Sequence, residues 1–158
     1  MQRIGIFLNP LFPRKSDIFE ILSNESLLND FSFFSSPEQI TYMPSFVKDY
    51  NNEKLEAILV FGGDGTILKA VKFALDTNTP LLGINLGKLG FLTDINLSEL
   101  PVALKSIKDK KFRIQQRILI DVSLRRKKKI IFAAQALNDA VIYKGPASRL
   151  IDVRLMYD

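Results

Sequence analysis

The chain has 158 residues and contains neither cysteine nor histidine. Disulfides, thiol nucleophiles, histidine metal sites and a Ser-His-Asp triad are thereby excluded, so acid–base work falls to carboxylates, lysine or tyrosine. The 47% hydrophobic content can build a core, and the net charge of +5 with a pI near 9.5 favours anionic partners without choosing among them.

The elements follow in chain order. Ile4–Leu8 is a continuous apolar run, as in a strand buried on both faces of a parallel sheet. Asn9-Pro10 stops it. Ser16 is placed to cap a helix running to about Leu28, with Ile18, Ile21 and Leu22 at helical spacing. Phe31–Phe34 is read as a short strand within an unclear stretch that extends to Tyr50. Leu55–Phe61 is a further strand, and Ile67–Leu75 a helix. Pro80–Ile84 is read as another strand, followed by a loop over Asn85–Gly90. Ser98–Lys108 is a helix capped by Ser98, with Pro101 in its first turn.

The pattern then changes. Arg113–Leu124 alternates apolar and polar residues, and Arg125–Lys129 is five consecutive basic residues. That run reads as a charged hairpin turn; no aromatic residue interleaves it, so no nucleic-acid partner is expected. Ile130–Leu137, Ala140–Tyr143 and Leu150–Met156 read as strands. Alternating β and α elements therefore give way to β-only sequence. The expected domains are 1–111, an α/β unit, and 112–158, the start of a β-rich one. About four strands are present there, enough for a sheet but one with a bare face, so the second domain is expected to be completed by further chain or by a partner. No run approaches the roughly 18 apolar residues of a membrane span, and the apolar start is too short for a signal peptide. A cytoplasmic protein with no membrane partner is expected.

The most telling motif is Gly62-Gly63-Asp64-Gly65-Thr66, at a strand-to-helix junction. Glycine admits sharp turns and close backbone approach to a ligand. The helix start supplies free N–H groups suited to a phosphate. Asp64 adds a base or a cation ligand. The plainer reading is a tight turn with Asp64 capping the helix. Two better-known phosphate loops fail: the stretch from Gly63 lacks the third glycine of a dinucleotide fingerprint, and Gly83–Lys88 lacks the spacing of a P-loop.

Gly-Gly-Asp-Gly-Thr after an apolar strand resembles the signature of NAD kinases, of diacylglycerol and sphingosine kinases and, with serine last, of 6-phosphofructokinases. Three further stretches resemble the NAD kinases in particular: Gly83-Ile84-Asn85-Leu86-Gly87-Lys88-Leu89-Gly90-Phe91-Leu92, Ala136-Leu137-Asn138-Asp139-Ala140-Val141, and the first strand ending Asn9-Pro10. Their order and spacing match along essentially the whole chain.

The resemblance implies an open, mostly parallel, Rossmann-like sheet followed by a β-rich domain. It implies phosphorylation of the adenosine ribose 2′-hydroxyl of NAD by ATP, with Mg²⁺ or another divalent cation on the phosphates. Asp64 matches the general base, Gly65 matches the neighbouring NAD-contacting glycine, and Gly63 and Thr66 are assigned to ligand binding beside it. Lys69 lies one helical turn on from Gly65, either facing a phosphate or solvated. Asn138 and Asp139 match a pair that contacts NAD, although read alone they form a turn; the family often has Glu at the second position. Arg149 is a further NAD contact or an exposed loop residue, and Phe91 a nucleotide contact or a core residue. A homodimer or homotetramer is implied. Two alternatives stand beside this: a lipid kinase sharing the signature, and a truncated, non-catalytic nucleotide-binding module.

Overall fold

The computed structural model describes residues 1–87, 90–142, 154 and 156. The chain divides into two compact units, Met1–Gln115 and Gln116–Asp158.

The first unit is a six-stranded sheet, parallel throughout, in the order β3-β2-β1-β4-β5-β6. Its strands are β1 (Gln2–Leu8), β2 (Phe31–Ser35), β3 (Val47–Asp49), β4 (Ala57–Phe61), β5 (Leu81–Asn85) and β6 (Ile95–Asn96). The central pair β1 and β4 carries the longest apolar runs because both faces are covered. All five residues of β4 are buried.

On one face, Ile4, Ile6, Leu8, Phe33, Leu59 and Phe61 pack against Ile18 and Leu22 of α1 (Lys15–Leu22) and Leu100, Leu104 and Ile107 of α4 (Leu100–Lys108). On the other, Phe7, Phe34, Ile58 and Val60 meet Ile67, Ala70 and Phe73 of α3 (Asp64–Thr77). Those helix positions recur at three- and four-residue steps, the period of one helical face. The order reverses between β1 and β4. In open parallel sheets that switch point marks the ligand crevice, outside the carboxyl ends of the strands.

Several boundaries differ from the sequence reading, each for a local reason. The helix expected from Ser16 to Leu28 is two helices, α1 and α2 (Glu25–Asp30). Asn24 ends the first by capping the second, its Oδ1 accepting from Ser26 N at 3.0 Å. Ser16 lies inside α1 and does not cap it; Arg14 stands at that position and pairs with Asp17 at 2.6 Å. Ser98 is likewise not a cap. A 3₁₀ turn over Leu97–Glu99 precedes α4, and Asn96 and Glu99 form a capping box around it. The short β3 and β6 were not read from sequence, being three and two residues long.

The second unit is an antiparallel hairpin of β7 (Ile120–Arg126) and β8 (Lys129–Ala136). The alternation from Arg113 becomes strand only at Ile120, which pairs with Ala136. The charged turn is shorter than Arg125–Lys129. Only Lys127 and Lys128 leave the strands, with φ of 47° and 66°. Positive φ at both central residues suits the twist of a two-residue hairpin turn. Residues 140–142 are not in a strand, contrary to the reading of Ala140–Tyr143, while Tyr143 lies outside the described residues. The Leu150–Met156 reading also falls outside them, save Arg154 and Met156. Among the described residues no helix is long and apolar enough to cross a membrane.

Candidate functional site

The turn after β4 is forced by contact. A Cβ added at Gly62 would lie 2.6 Å from Thr66 Cβ and 3.0 Å from Thr66 Cγ2, so no larger residue fits above that side chain. Thr66 is buried beneath the turn, and its amide donates to Gly63 O at 2.8 Å. Gly63 and Gly65 differ: a Cβ at either meets nothing within 4 Å. The space above them is open, and both are exposed. The motif thus has one glycine required by internal packing and two bordering free space.

Asp64 is the first residue of α3 and is half-buried. Its carboxylate does not serve the amides of its own helix. Oδ2 accepts from Phe91 N at 3.0 Å and Oδ1 from Leu92 N at 2.9 Å. The second glycine-rich stretch is therefore tied to the first through both oxygens of one side chain.

That second loop has further fixings. Asn85 is buried at the end of β5; its Oδ1 accepts from Gly87 N at 3.0 Å, and its Nδ2 donates to Gly87 O at 3.1 Å. Gly90 N donates to Thr93 Oγ1 at 3.2 Å. Asp94 Oδ2 accepts from Gly83 N at 3.0 Å, and Asp94 N donates to Gly83 O at 2.9 Å. The chain returns so close over β5 that a Cβ at Gly83 would lie 3.0 Å from Leu92 O. Asn85, Gly90, Thr93 and Asp94 were not singled out from sequence. Asn85 and Gly90 had a signal in the motif that contains them; Thr93 and Asp94 had none.

Phe91 does not pack in the core: it is 97% exposed beside Asp64's bonding partners. Lys69 lies five residues from Asp64, roughly 140° around the helix. It lines a separate cavity of about 310 Å³ with Phe7, Tyr50, Phe73, Lys72 and Asp76, and the structure does not bring it to Asp64. Lys72 is held above its usual pKa by its hydrogen bond to Asp76. In the second unit, Asn138 and Asp139 are exposed just past the end of β8. Arg149 lies outside the described residues.

A doubly wound parallel sheet, with a glycine-rich strand-to-helix turn at its switch point and a second loop clipped to that turn, defines the class: an α/β domain that holds ligands at the carboxyl ends of its strands. Comparison with known proteins narrows this. The ATP-NAD kinase N-terminal domain matches residues 14–112. The chain belongs to the NAD kinase family.

An NAD kinase from Natranaerobius thermophilus is 45% identical over 105 residues, covering 66% of this chain and 37% of that protein. One from Geotalea daltonii is 35% identical over 161 aligned positions, covering 100% of this chain and 57% of that protein. The crystal structure of yeast NADH kinase complexed with NADH superposes with a TM-score of 0.66 at 19% identity, over 87% of this chain and 47% of that one. The last likeness speaks for the fold. The chain spans about half the length of the curated relatives it matches.

Proposed function

We propose that the protein is a kinase that transfers the γ-phosphoryl group of ATP to the 2′-hydroxyl of the adenosine ribose of NAD, giving NADP. The observation that carries this is Asp64. It is a half-buried carboxylate at the switch point of a parallel sheet, on a turn where Gly63 and Gly65 face open space. Membership of the NAD kinase family supplies the substrate pair.

As the ribose oxygen bonds to the γ-phosphorus, the bridging bond to the β-phosphate breaks and ADP leaves. The hydroxyl proton passes to Asp64. Aspartate is a weak base, and its contribution is to orient the hydroxyl and take the proton as the loose transition state collapses. Gly63 and Gly65 let substrate approach the backbone, and the start of α3 presents amides to a phosphate. Thr66 supports the turn from beneath. Phe91 offers a free aromatic face to a planar ring of the acceptor. Asn138, Asp139 and Arg149 are assigned to NAD, with Asn138 and Asp139 hydrogen-bonding ribose or amide edges.

Among the described residues no group of three or more Asp and Glu stands ready to hold a metal. The divalent cation is assigned to the triphosphate, whose charge it neutralises. Lys69 is left outside the proton-transfer step. By family similarity the assembly is a homodimer or homotetramer in the cytoplasm.

The test is NADP formation from NAD, ATP and Mg²⁺. It is run on this chain and on a chimera carrying the portion of the Geotalea daltonii relative that the chain does not span. Turnover in the chimera that collapses on Asp64→Asn supports the proposal. A folded chimera without turnover removes it.

A further inference from the structure

A carboxylate that must take a proton at a fixed point needs something to fix it. Asp64 has two rotatable side-chain bonds, Cα–Cβ and Cβ–Cγ, so a bare side chain on an exposed turn would sample several orientations. Here each oxygen accepts one backbone amide, Phe91 N at 3.0 Å and Leu92 N at 2.9 Å. Two donors from consecutive residues define the plane of the carboxylate and its rotation. They use about two of its roughly four lone-pair positions, which leaves acceptor capacity for a substrate hydroxyl. Hydrogen bonds to an ionised acceptor are also among the stronger ones in proteins.

The arrangement depends on one glycine. A Cβ at Gly90 would stand 2.8 Å from Asp64 Cγ, closer still to Oδ1 and 3.0 Å from Oδ2. The obstacle is the carboxylate itself, so any side chain at Gly90 must push Asp64 out of its amide pair. The loop cannot readily give way instead. It is tied at Thr93 and Asp94, and passes against Gly83 with no room for a methyl group.

We infer that Gly90 and the Phe91 and Leu92 amides form a positioning device that orients Asp64 for proton acceptance, and that Gly90 is glycine because the carboxylate occupies the place of its side chain. The inference rests on the kinase reading for its consequence, but not for its geometry. None of these groups needs to touch substrate to act. They act through Asp64.

The test has two arms. In the first, residue-specific amide exchange is measured by NMR on the chain itself. The Phe91 and Leu92 amides should be protected, and Gly90→Ala should abolish that protection. Asp64→Asn serves as the second variant, because it adds no bulk. Its Oδ1 can keep one amide, while its NH₂ faces the other donor to donor, so one of the two should exchange faster. Protection retained in both variants overturns the inference whatever the activity.

In the second arm, turnover is read on the active chimera. Gly90→Ala should lower kcat by about tenfold to a hundredfold, the scale of a misplacement near 1 Å, with KM for NAD within about threefold. A kcat within about twofold, or a loss confined to KM, overturns the inference. A parent chimera with no turnover would count against the kinase reading alone, and the exchange arm would still decide the geometry.

Discussion

Replacing Gly62 by alanine tests whether the first glycine of the motif is there for packing. The added methyl group would stand 2.6 Å from Thr66 Cβ and 3.0 Å from Thr66 Cγ2. Rotating the threonine side chain moves Cγ2 but not Cβ, so the closest carbon contact persists in every rotamer. Retreat of the whole residue would pull on the Thr66 amide, which bonds Gly63 O at 2.8 Å, and on Ile67, which is buried against the sheet.

Overpacking of this kind costs about 1–3 kcal/mol, and an unrelieved contact at Cβ places the expectation near 2 kcal/mol. That is roughly a thirtyfold change in the folding equilibrium. Urea unfolding followed by circular dichroism would read it. Removing the whole Thr66 side chain should restore room, so Gly62→Ala and Thr66→Gly should couple by about 1 kcal/mol or more in a double-mutant cycle. A loss below about 0.5 kcal/mol for Gly62→Ala, or additivity within that margin, would refute the packing argument.

The remaining predictions separate core, site and surface. Leu104 of α4 is 0% exposed, so Leu104→Ala should cost about 2–5 kcal/mol in the same unfolding assay. Phe91 is almost fully exposed, so Phe91→Ala should leave stability unchanged while weakening NAD binding about two- to tenfold, read as KM in the chimera. Asp76→Asn should leave the unfolding midpoint unchanged at pH 7, because Lys72 and Asp76 are 78% and 60% exposed. The partner raises the Lys72 pKa, so any benefit is present below the unfolded value near 10.5 and fades as pH rises through the folded one. Between pH 6 and 9 the pair should add no slope.

The sheet was legible because its central strands are buried on both faces. Ile4–Leu8 and Leu55–Phe61 are unbroken apolar runs, which a parallel sheet covered by helices requires. Leu55 itself is buried but falls before the strand begins at Ala57. Edge elements were harder to read. β3 over Val47–Asp49 buries only Val47, and three residues carry no usable period. Helix starts misled because Ser16 and Ser98 were read as caps: Ser16 lies inside α1, whose cap position is held by Arg14, and Asn96 caps the turn before α4. The hairpin turn at Lys127-Lys128 lacks the Asn-Gly signal that normally announces positive φ, so its limits could not be read.

For the site, Gly62–Thr66 was visible as a motif. That Asp64 reaches across to the Phe91 and Leu92 amides was not, since no local pattern encodes a bond spanning 27 and 28 residues. Phe91 shows the same limit. Beside Leu89 and Leu92 an aromatic reads more often as core than as a ligand contact, and only the fold leaves it exposed.

The measurement that bears most directly on the central claim is NADP production from NAD, ATP and Mg²⁺ by the chimera, beside its Asp64→Asn variant. Removing a general base from a phosphoryl transfer typically costs about 10²–10⁴-fold in rate. The account predicts NADP from the parent chimera and a loss of that order in the variant, with both proteins folded. A folded parent that makes no NADP, or a variant that turns over as fast as its parent, would contradict it.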